Sequence, residues 1–297
     1  MFQIRRIAAA LALTAAVTPQ LAHAGEGSFG WVYTLDLQPK GTLEFEQRLQ
    51  YNRQQVANTY NFWQSRSELE YGVTENFQIA GYLNASYTNA YRNYPATADY
   101  PNGETGGWGV AYPGDDKYSK WRVEGASLEA IYRFTNPVVD PVGVGVYSEV
   151  TLGSTKDEFE FRLLLQSNFL DDKLVLAANL VGAIEKVNFF QGETGPESMA
   201  DLLFGASYRF ANNWMAGLEA RYHNDFYGYH YNTQTQRQWF FGPNVHYATK
   251  DWWATGAWRY QPTGGKCWAP GEGECSDGRA WDSHSRNEYI VKFGMPF

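Results

Sequence analysis

Between Thr42 and Phe297, apolar side chains recur at every second position over stretches of about ten residues, with charged or amide side chains filling the positions between them. That is the period of a β-strand, whose successive side chains point to opposite faces. In Thr42–Asn52, Leu43, Phe45, Leu49 and Tyr51 oppose Glu44, Glu46, Arg48 and Gln50. In Asn61–Tyr71, Trp63, Leu69 and Tyr71 oppose Gln64, Arg66, Glu68 and Glu70, and a third stretch from Phe77 carries Ile79, Leu83 and Tyr87 on one face. The pattern predicts further strands near 122–134, 142–152, 158–168, 174–186, 201–210, 214–223, 238–248 and 252–260. The last stretch places Tyr289, Val291, Phe293, Met295 and Phe297 on one side, with Glu288, Lys292, Gly294 and Pro296 on the other. A closing strand that meets lipid with its apolar face and ends on an aromatic residue is the terminal pattern, and assembly signal, of an outer-membrane barrel.

The connections alternate in length. Short ones fall at 72–76, 135–141, 170–173, 211–213 and 249–251; long ones at 88–120, 187–198, 224–237 and 261–286, with shorter outer loops near 52–60 and 153–157. Short turns mark the periplasmic side of such barrels. The expected fold is therefore all-β: a transmembrane up-and-down antiparallel β-barrel of about twelve strands with both termini periplasmic. A soluble β-sandwich shares the alternation, but gains nothing from successive charges on its polar faces and a terminal Phe.

The first residues read as an export signal: Arg5 and Arg6, an apolar run from Ile7 to Val17, and Ala22-His23-Ala24 as the cleavage site. Residues 1–24 are thus a signal peptide, 25–40 a periplasmic N-terminal lead-in and 41–297 the barrel. No later stretch reaches the roughly 18–20 consecutive apolar residues of a membrane-spanning helix. Of 24 Lys and Arg, Arg5 and Arg6 fall in the signal, leaving 22 against 32 acidic side chains. So acidic a chain is a poor nucleic-acid binder. Aromatics make up 17% of the chain, which suits interfacial girdles.

Pro39-Lys40-Gly41 ahead of Glu44-Phe45-Glu46-Gln47, then Glu70-Tyr71-Gly72-Val73-Thr74-Glu75-Asn76-Phe77-Gln78 and Tyr82-Leu83-Asn84, resemble a family of uncharacterised, porin-like outer-membrane barrels of Gram-negative bacteria. The likeness covers the first two hairpins and the terminal strand. It implies the architecture and the cell outer membrane, and carries no substrate, cofactor or catalytic residue.

The polar faces define the first candidate site, a charged lumen. Glu44, Glu46, Glu68, Glu70, Glu129, Glu149, Glu160, Glu185, Glu219 and Glu288 would face Arg48, Arg66, Arg133, Arg162, Arg209, Arg221, Arg259 and Lys292. One reading is a hydrated pore with a mild cation preference. The other is a barrel braced and closed by Glu/Arg networks, since buried charges need partners. Twelve strands lie between filled eight-stranded and open sixteen-stranded barrels, wide enough for a small solute.

Aromatic residues crowd two outer connections: Tyr87, Tyr91, Tyr94, Tyr100, Trp108, Tyr112, Tyr118 and Trp121 around the first, and Phe226, Tyr227, Tyr229 and Tyr231 at another. They could stack on glycans or lipopolysaccharide, or form a girdle and a packed lid. Cys267 and Cys275, the only cysteines, are expected to form an intraloop disulfide in an oxidising compartment. Neither they nor the neighbouring Glu272, Glu274 and Asp277 define a metal site. His223 should oppose Gln238, which places His246 roughly 26 Å away. His284 and Ser285 are adjacent and would point to opposite faces of a strand, which argues against a Ser/His hydrolase. The expected function is a monomeric, non-enzymatic, passive channel for small hydrophilic solutes, without metal or cofactor. Its partners would be outer-membrane lipid, lipopolysaccharide and the barrel-assembly machinery; the alternative is a closed structural or surface-binding barrel.

Overall fold

A computed structural model describes residues 27–55, 59–91, 104–105, 110–111, 117–188, 194–268, 275–276, 278–281 and 284–297. Twelve long antiparallel strands form the barrel: β1 Leu43–Arg53, β2 Thr59–Thr74, β3 Phe77–Tyr91, β4 Lys117–Thr135, β5 Gly143–Gly153, β6 Lys156–Phe169, β7 Leu174–Asn188, β8 Thr194–Ala211, β9 Trp214–Tyr227, β10 Thr233–Ala248, β11 Trp253–Tyr260 and β12 Asn287–Pro296, and the two-residue strand Lys266–Cys267 adds to the loop end of β10. Each long strand pairs with its chain neighbour, and β1 pairs with β12 from Glu44↔Pro296 to Arg53↔Asn287, so the sheet closes and no edge is left. Closure is what allows strands to cross lipid, because every ladder N–H and C=O then has a partner.

Several strands outrun the span inferred from bilayer thickness. β7 and β8 reach Asn188 and Thr194, and β9 and β10 reach Tyr227 and Thr233, so much of what the sequence suggests as long connections at 187–198 and 224–237 is paired strand. Hairpin pairing continues past the apolar band because the ladder needs only a partner, whereas the sequence pattern follows lipid contact. The tight connection from β8 to β9 puts Asn213 at φ 68°, a left-handed conformation that Asn tolerates better than most residues.

The outer face is apolar. Leu83 (70% exposed), Leu128, Leu218 and Val291 point outward, as do Met295 and Phe297 of the terminal pattern. Aromatic rows flank this band. At the loop end Tyr51 stacks on Trp63 at 4.1 Å and neighbours Tyr289 at 6.0 Å. At the turn end Trp214, Tyr247, Trp252 and Phe293 follow one another at 4.7, 5.1 and 6.0 Å. Two such girdles suit amphipathic rings at two membrane interfaces.

The buried core lies inside the barrel, around a segment that belongs to no strand. Residues 28–35 are all buried, Phe29 and Leu35 completely. The stretch read as a lead-in lies inside the barrel: residues 28–35 and 37–38 are buried against the wall, with Gly27 folded back on Thr34. Phe29, Trp31, Tyr33, Leu35 and Leu37 would otherwise leave their apolar surface in water.

Candidate functional site

The lumen and its occupant form the candidate site. The segment is bent, turning at Gly27 and Ser28 and bending at Gly30, Trp31 and Leu35 so that Gly27 comes back against Thr34, and it has no sheet neighbour. A buried backbone must still satisfy its N–H groups, and here wall side chains do so. Glu219 of β9 accepts three consecutive N–H groups, from Gly30 at 2.7 Å, Trp31 at 2.8 Å and Val32 at 3.1 Å, and Asn244 donates to it at 3.0 Å. Asn179 of β7 brackets Tyr33, accepting its N–H at 2.7 Å and donating to its carbonyl at 2.9 Å. Gln166 accepts from Leu35 N–H at 2.6 Å, Arg133 donates to the Leu35 carbonyl at 3.0 Å, and Gln78 accepts from Gln38 N–H at 2.7 Å.

Side chains of the segment fill recesses in the wall. Phe29, Trp31 and Val32 pack with Val175, Ala177, Leu203, Met215 and Ile290, while Tyr33, Leu35 and Leu37 pack with Ile131, Tyr147 and Leu164. The recesses depend on glycine: a Cβ on Gly205 would lie 2.5 Å from the Phe29 ring, and one on Gly145 2.5 Å from Leu35. Two lumen arginines cover segment rings, Arg259 over Trp31 at 4.2 Å and Arg162 over Tyr33 at 4.3 Å, as cation–π contacts. Burial pushes the Asp36 carboxyl above its ordinary range, opposed by hydrogen bonds from Gln166 and Thr34 and the charge of Arg133.

The predicted lumen charges divide into three groups. Ion pairs join Arg66 to Glu149 at 2.6 Å, Arg162 to Glu160 at 2.7 Å, Glu185 to Lys156 at 2.8 Å and Lys292 to Glu46 at 3.5 Å, and also Arg259 to Glu288 and Arg221 to Asp201. A second group engages neutral or backbone partners: Glu219 and Arg133 hold the segment, Glu44 accepts from the Trp253 indole at 2.8 Å, Glu70 accepts from Gln38 and Gln78, and Glu129 accepts from Tyr82. Glu68 is buried beside Glu46 and Glu70, whose ligand atoms lie within 4.8 Å of one another, so acids concentrate on β1 and β2. Finally, Arg48 lines a cavity of about 180 Å³, and Arg209 is half-buried on β8. That cavity, between β1 and β6, is also lined by Arg66, Glu124, Glu149, Lys156 and Glu158.

The loop end is partly covered. Cys267 and Cys275 are joined by a disulfide, with Cα atoms 5.7 Å apart. Beyond it Ala280, Trp281, His284 and Ser285 are buried, because the chain turns inward. Gln55 donates to the carbonyls of Trp281 and His284 at 3.0 and 2.8 Å, and Gln261 to that of Ser285 at 3.2 Å. His284 meets His223 there, ring centroids 4.3 Å apart, beside Asp225. Burial, with His223 alongside, holds the His284 imidazole down at about 4. The register pairs His223 with Gln238 and His246 with Met215, which keeps those two histidines apart.

Of the loop aromatics, Tyr87 stacks on the exposed Trp121 at 4.8 Å, and Phe226 meets Tyr231 edge-on at 5.5 Å. Tyr94, Tyr100, Trp108, Tyr112, Glu272, Glu274, Asp277 and the Tyr118 side chain lie outside the described residues. The residues that sequence reasoning misses are Gln78, Gln166, Asn179, Asp201 and Asp225. Their signal is weak but present: amides and carboxylates at lumen positions of otherwise apolar strands.

A closed barrel with a lipid-facing exterior, two aromatic girdles and a charged lumen filled by its own chain is a transmembrane β-barrel of the outer-membrane type. By sequence the chain belongs to the DUF6662 family, a family of unknown function, matched over residues 21–297. No curated protein matches it. Among solved structures it is similar to the COG4313 outer membrane channel of Pseudomonas putida F1, at 8% identity and a TM-score of 0.57, over 88% of this chain and 97% of that one. It is also similar to the β domain of the Bordetella autotransporter BrkA, at 13% identity and a TM-score of 0.50, over 86% and 100%. At these identities the likeness is one of fold.

Proposed function

We propose that the protein is a gated channel of the Gram-negative outer membrane for small hydrophilic solutes, monomeric and non-enzymatic, with both termini at the periplasmic face. In this reading residues 27–38 are the gate. The observation that carries it is the way the segment is held: its backbone is bonded to side chains of the wall rather than to a strand. Contacts of that kind can be exchanged for water when the segment slides, whereas a sheet ladder cannot be released singly. The cavity of about 180 Å³ between β1 and β6, lined by Arg48, Arg66, Glu124, Glu149, Lys156 and Glu158, offers charged, polar walls to a hydrated solute. A barrel of this fold serves as a channel in Pseudomonas putida, so the scaffold suits the role. The acids gathered on β1 and β2 favour cations in passage, by an electrostatic preference that salt screens. The outward row Tyr289, Val291, Phe293, Met295 and Phe297 is the signal we expect the barrel-assembly machinery to read.

One observation favours a permanently closed barrel instead: the apolar packing of Phe29, Trp31 and Leu35 against the wall, which anchors the segment. Liposome swelling separates the two. A gated channel admits small sugars or amino acids slowly in the wild type and several-fold faster in Glu219→Ala. A closed scaffold admits none in either, and that result would end the channel reading.

A further inference from the structure

The cluster at the loop end carries an inference independent of whether the barrel conducts. Nε2 of His223 lies 2.6 Å from Oδ2 of Asp225, and Nε2 of His284 lies 3.5 Å from the same oxygen. The three potential donor atoms fall within 4.8 Å of one another. His284 is only 5% exposed, and its Nε2 makes no hydrogen bond among the described residues. A buried polar nitrogen whose carboxylate contact is as long as 3.5 Å, with a second imidazole alongside, is poorly satisfied unless something else engages it.

We propose that His223, Asp225 and His284 bind one divalent transition-metal ion of the zinc class. Two imidazoles and one carboxylate form a donor set suited to zinc, copper or nickel and poorly suited to calcium or magnesium, which take oxygen ligands. Zinc binds three such protein ligands at about 2.0–2.2 Å, with water as the fourth, so donor atoms sit roughly 3.3 Å apart. The His284–Asp225 separation already matches this, and the His223–Asp225 pair must open by well under 1 Å, a side-chain adjustment.

The surroundings are arranged as ligands require. Nδ1 of His223 lies 2.8 Å from Oδ1 of Asp201 and 2.7 Å from Nη2 of Arg221, so metal binding requires the tautomer in which Nδ1–H is donated to Asp201 and Nε2 keeps its lone pair, with the guanidinium shifting onto Asp201. Asp201 is held in turn by Arg221. A carboxylate behind a histidine fixes the ring and its tautomer in metal sites. Gln236 donates to Oδ2 of Asp225 at 2.5 Å and orients that carboxylate. Asp225 is half-buried and opens the site to solvent, while His223 is buried. Two ligands belong to β9 and one to the inward-turned loop, so the ion would pin that loop to the barrel wall. The rival account is a metal-free ion pair, with a doubly protonated His223 bridging Asp201 and Asp225.

Calorimetric titration of the untagged, refolded barrel with zinc chloride in chelator-treated buffer decides between them. The expected result is one zinc per chain, with affinity reduced at least tenfold in His284→Ala and in the isosteric Asp225→Asn. Asp201→Asn, a positioning change, should weaken binding about 10–100-fold. A variant lacking His230 and His246 should bind as the wild type does. Calcium should give no heat, and cobalt in place of zinc should give the visible absorption of a low-coordinate site. Should His284→Ala misfold, Asp225→Asn keeps the shape of the side chain and carries the test. No stoichiometric zinc in the wild type, or equal affinity in Asp225→Asn and the wild type, overturns the proposal and leaves the ion pair.

Discussion

The Glu219 carboxylate accepts the backbone N–H of Gly30 at 2.7 Å, across 189 residues of sequence, and ties an unpaired stretch of chain to the middle of the barrel wall. The same carboxylate serves Trp31 and Val32. Removing it in Glu219→Ala strands three buried N–H groups and should weaken seating of the segment by roughly 2–5 kcal/mol. Labelling of Ser28→Cys with a membrane-impermeant maleimide reads this directly. It should be slow in the parent barrel and at least tenfold faster when Glu219 is changed; equal rates would mean that Glu219 is not the anchor.

Gly205 makes room for Phe29. Gly205→Leu should drive the ring out, since even a Cβ would stand 2.5 Å from it. Overpacking of this kind typically costs about 1–3 kcal/mol. Pairing it with Phe29→Ala should restore most of the loss in thermal unfolding. Additive losses in the double variant would show that the two sites are not in contact.

Acid should tighten the gate. The Asp36 carboxyl is raised above its ordinary 3.8 by burial, so the seated form holds a proton that the released form gives up. The stabilisation is fully present below about pH 4 and is lost as pH rises through the seated-state value. Maleimide labelling at Ser28→Cys, taken at each pH as a ratio to the same cysteine in the unfolded chain so that thiolate formation cancels, should therefore accelerate from pH 4 to pH 7, and Asp36→Asn should flatten that ratio. An opposite slope would contradict the assigned direction.

Arg66 and Glu149 meet at 2.6 Å, with Glu149 almost fully buried. Arg66→Met alone leaves a buried carboxylate without its cation and should destabilise the barrel by about 3–5 kcal/mol. Arg66→Met with Glu149→Leu should recover most of this, because a buried pair replaced by apolar side chains is often neutral. A double-mutant cycle in urea measures the coupling.

Much of the wall is legible in the sequence because lipid contact imposes a strict period of two. Leu43 to Tyr51, the terminal Tyr289 to Phe297 row and the pairing of His223 with Gln238 all follow from that period and the turn spacing. The lumen is less legible. Phe29, Trp31, Tyr33, Leu35 and Leu37 also alternate, but a segment without a strand partner gives no cue to where it lies. Its partners Gln78, Gln166, Asn179 and Glu219 are spread over four strands, and only the closed barrel brings them to one line. His223 and His284 likewise meet because the loop after Cys275 turns inward, an event set by Gln55 and Gln261 rather than by any local pattern.

The most direct measurement is single-channel recording in planar bilayers of the intact barrel and of a variant lacking residues 27–38. The intact barrel should show rare, brief openings of small conductance with a mild preference for potassium over chloride. The shortened barrel should conduct continuously at a several-fold higher level. Silence from both under strong applied voltage, with the shortened barrel shown to be folded and inserted, would contradict the channel and leave a sealed scaffold.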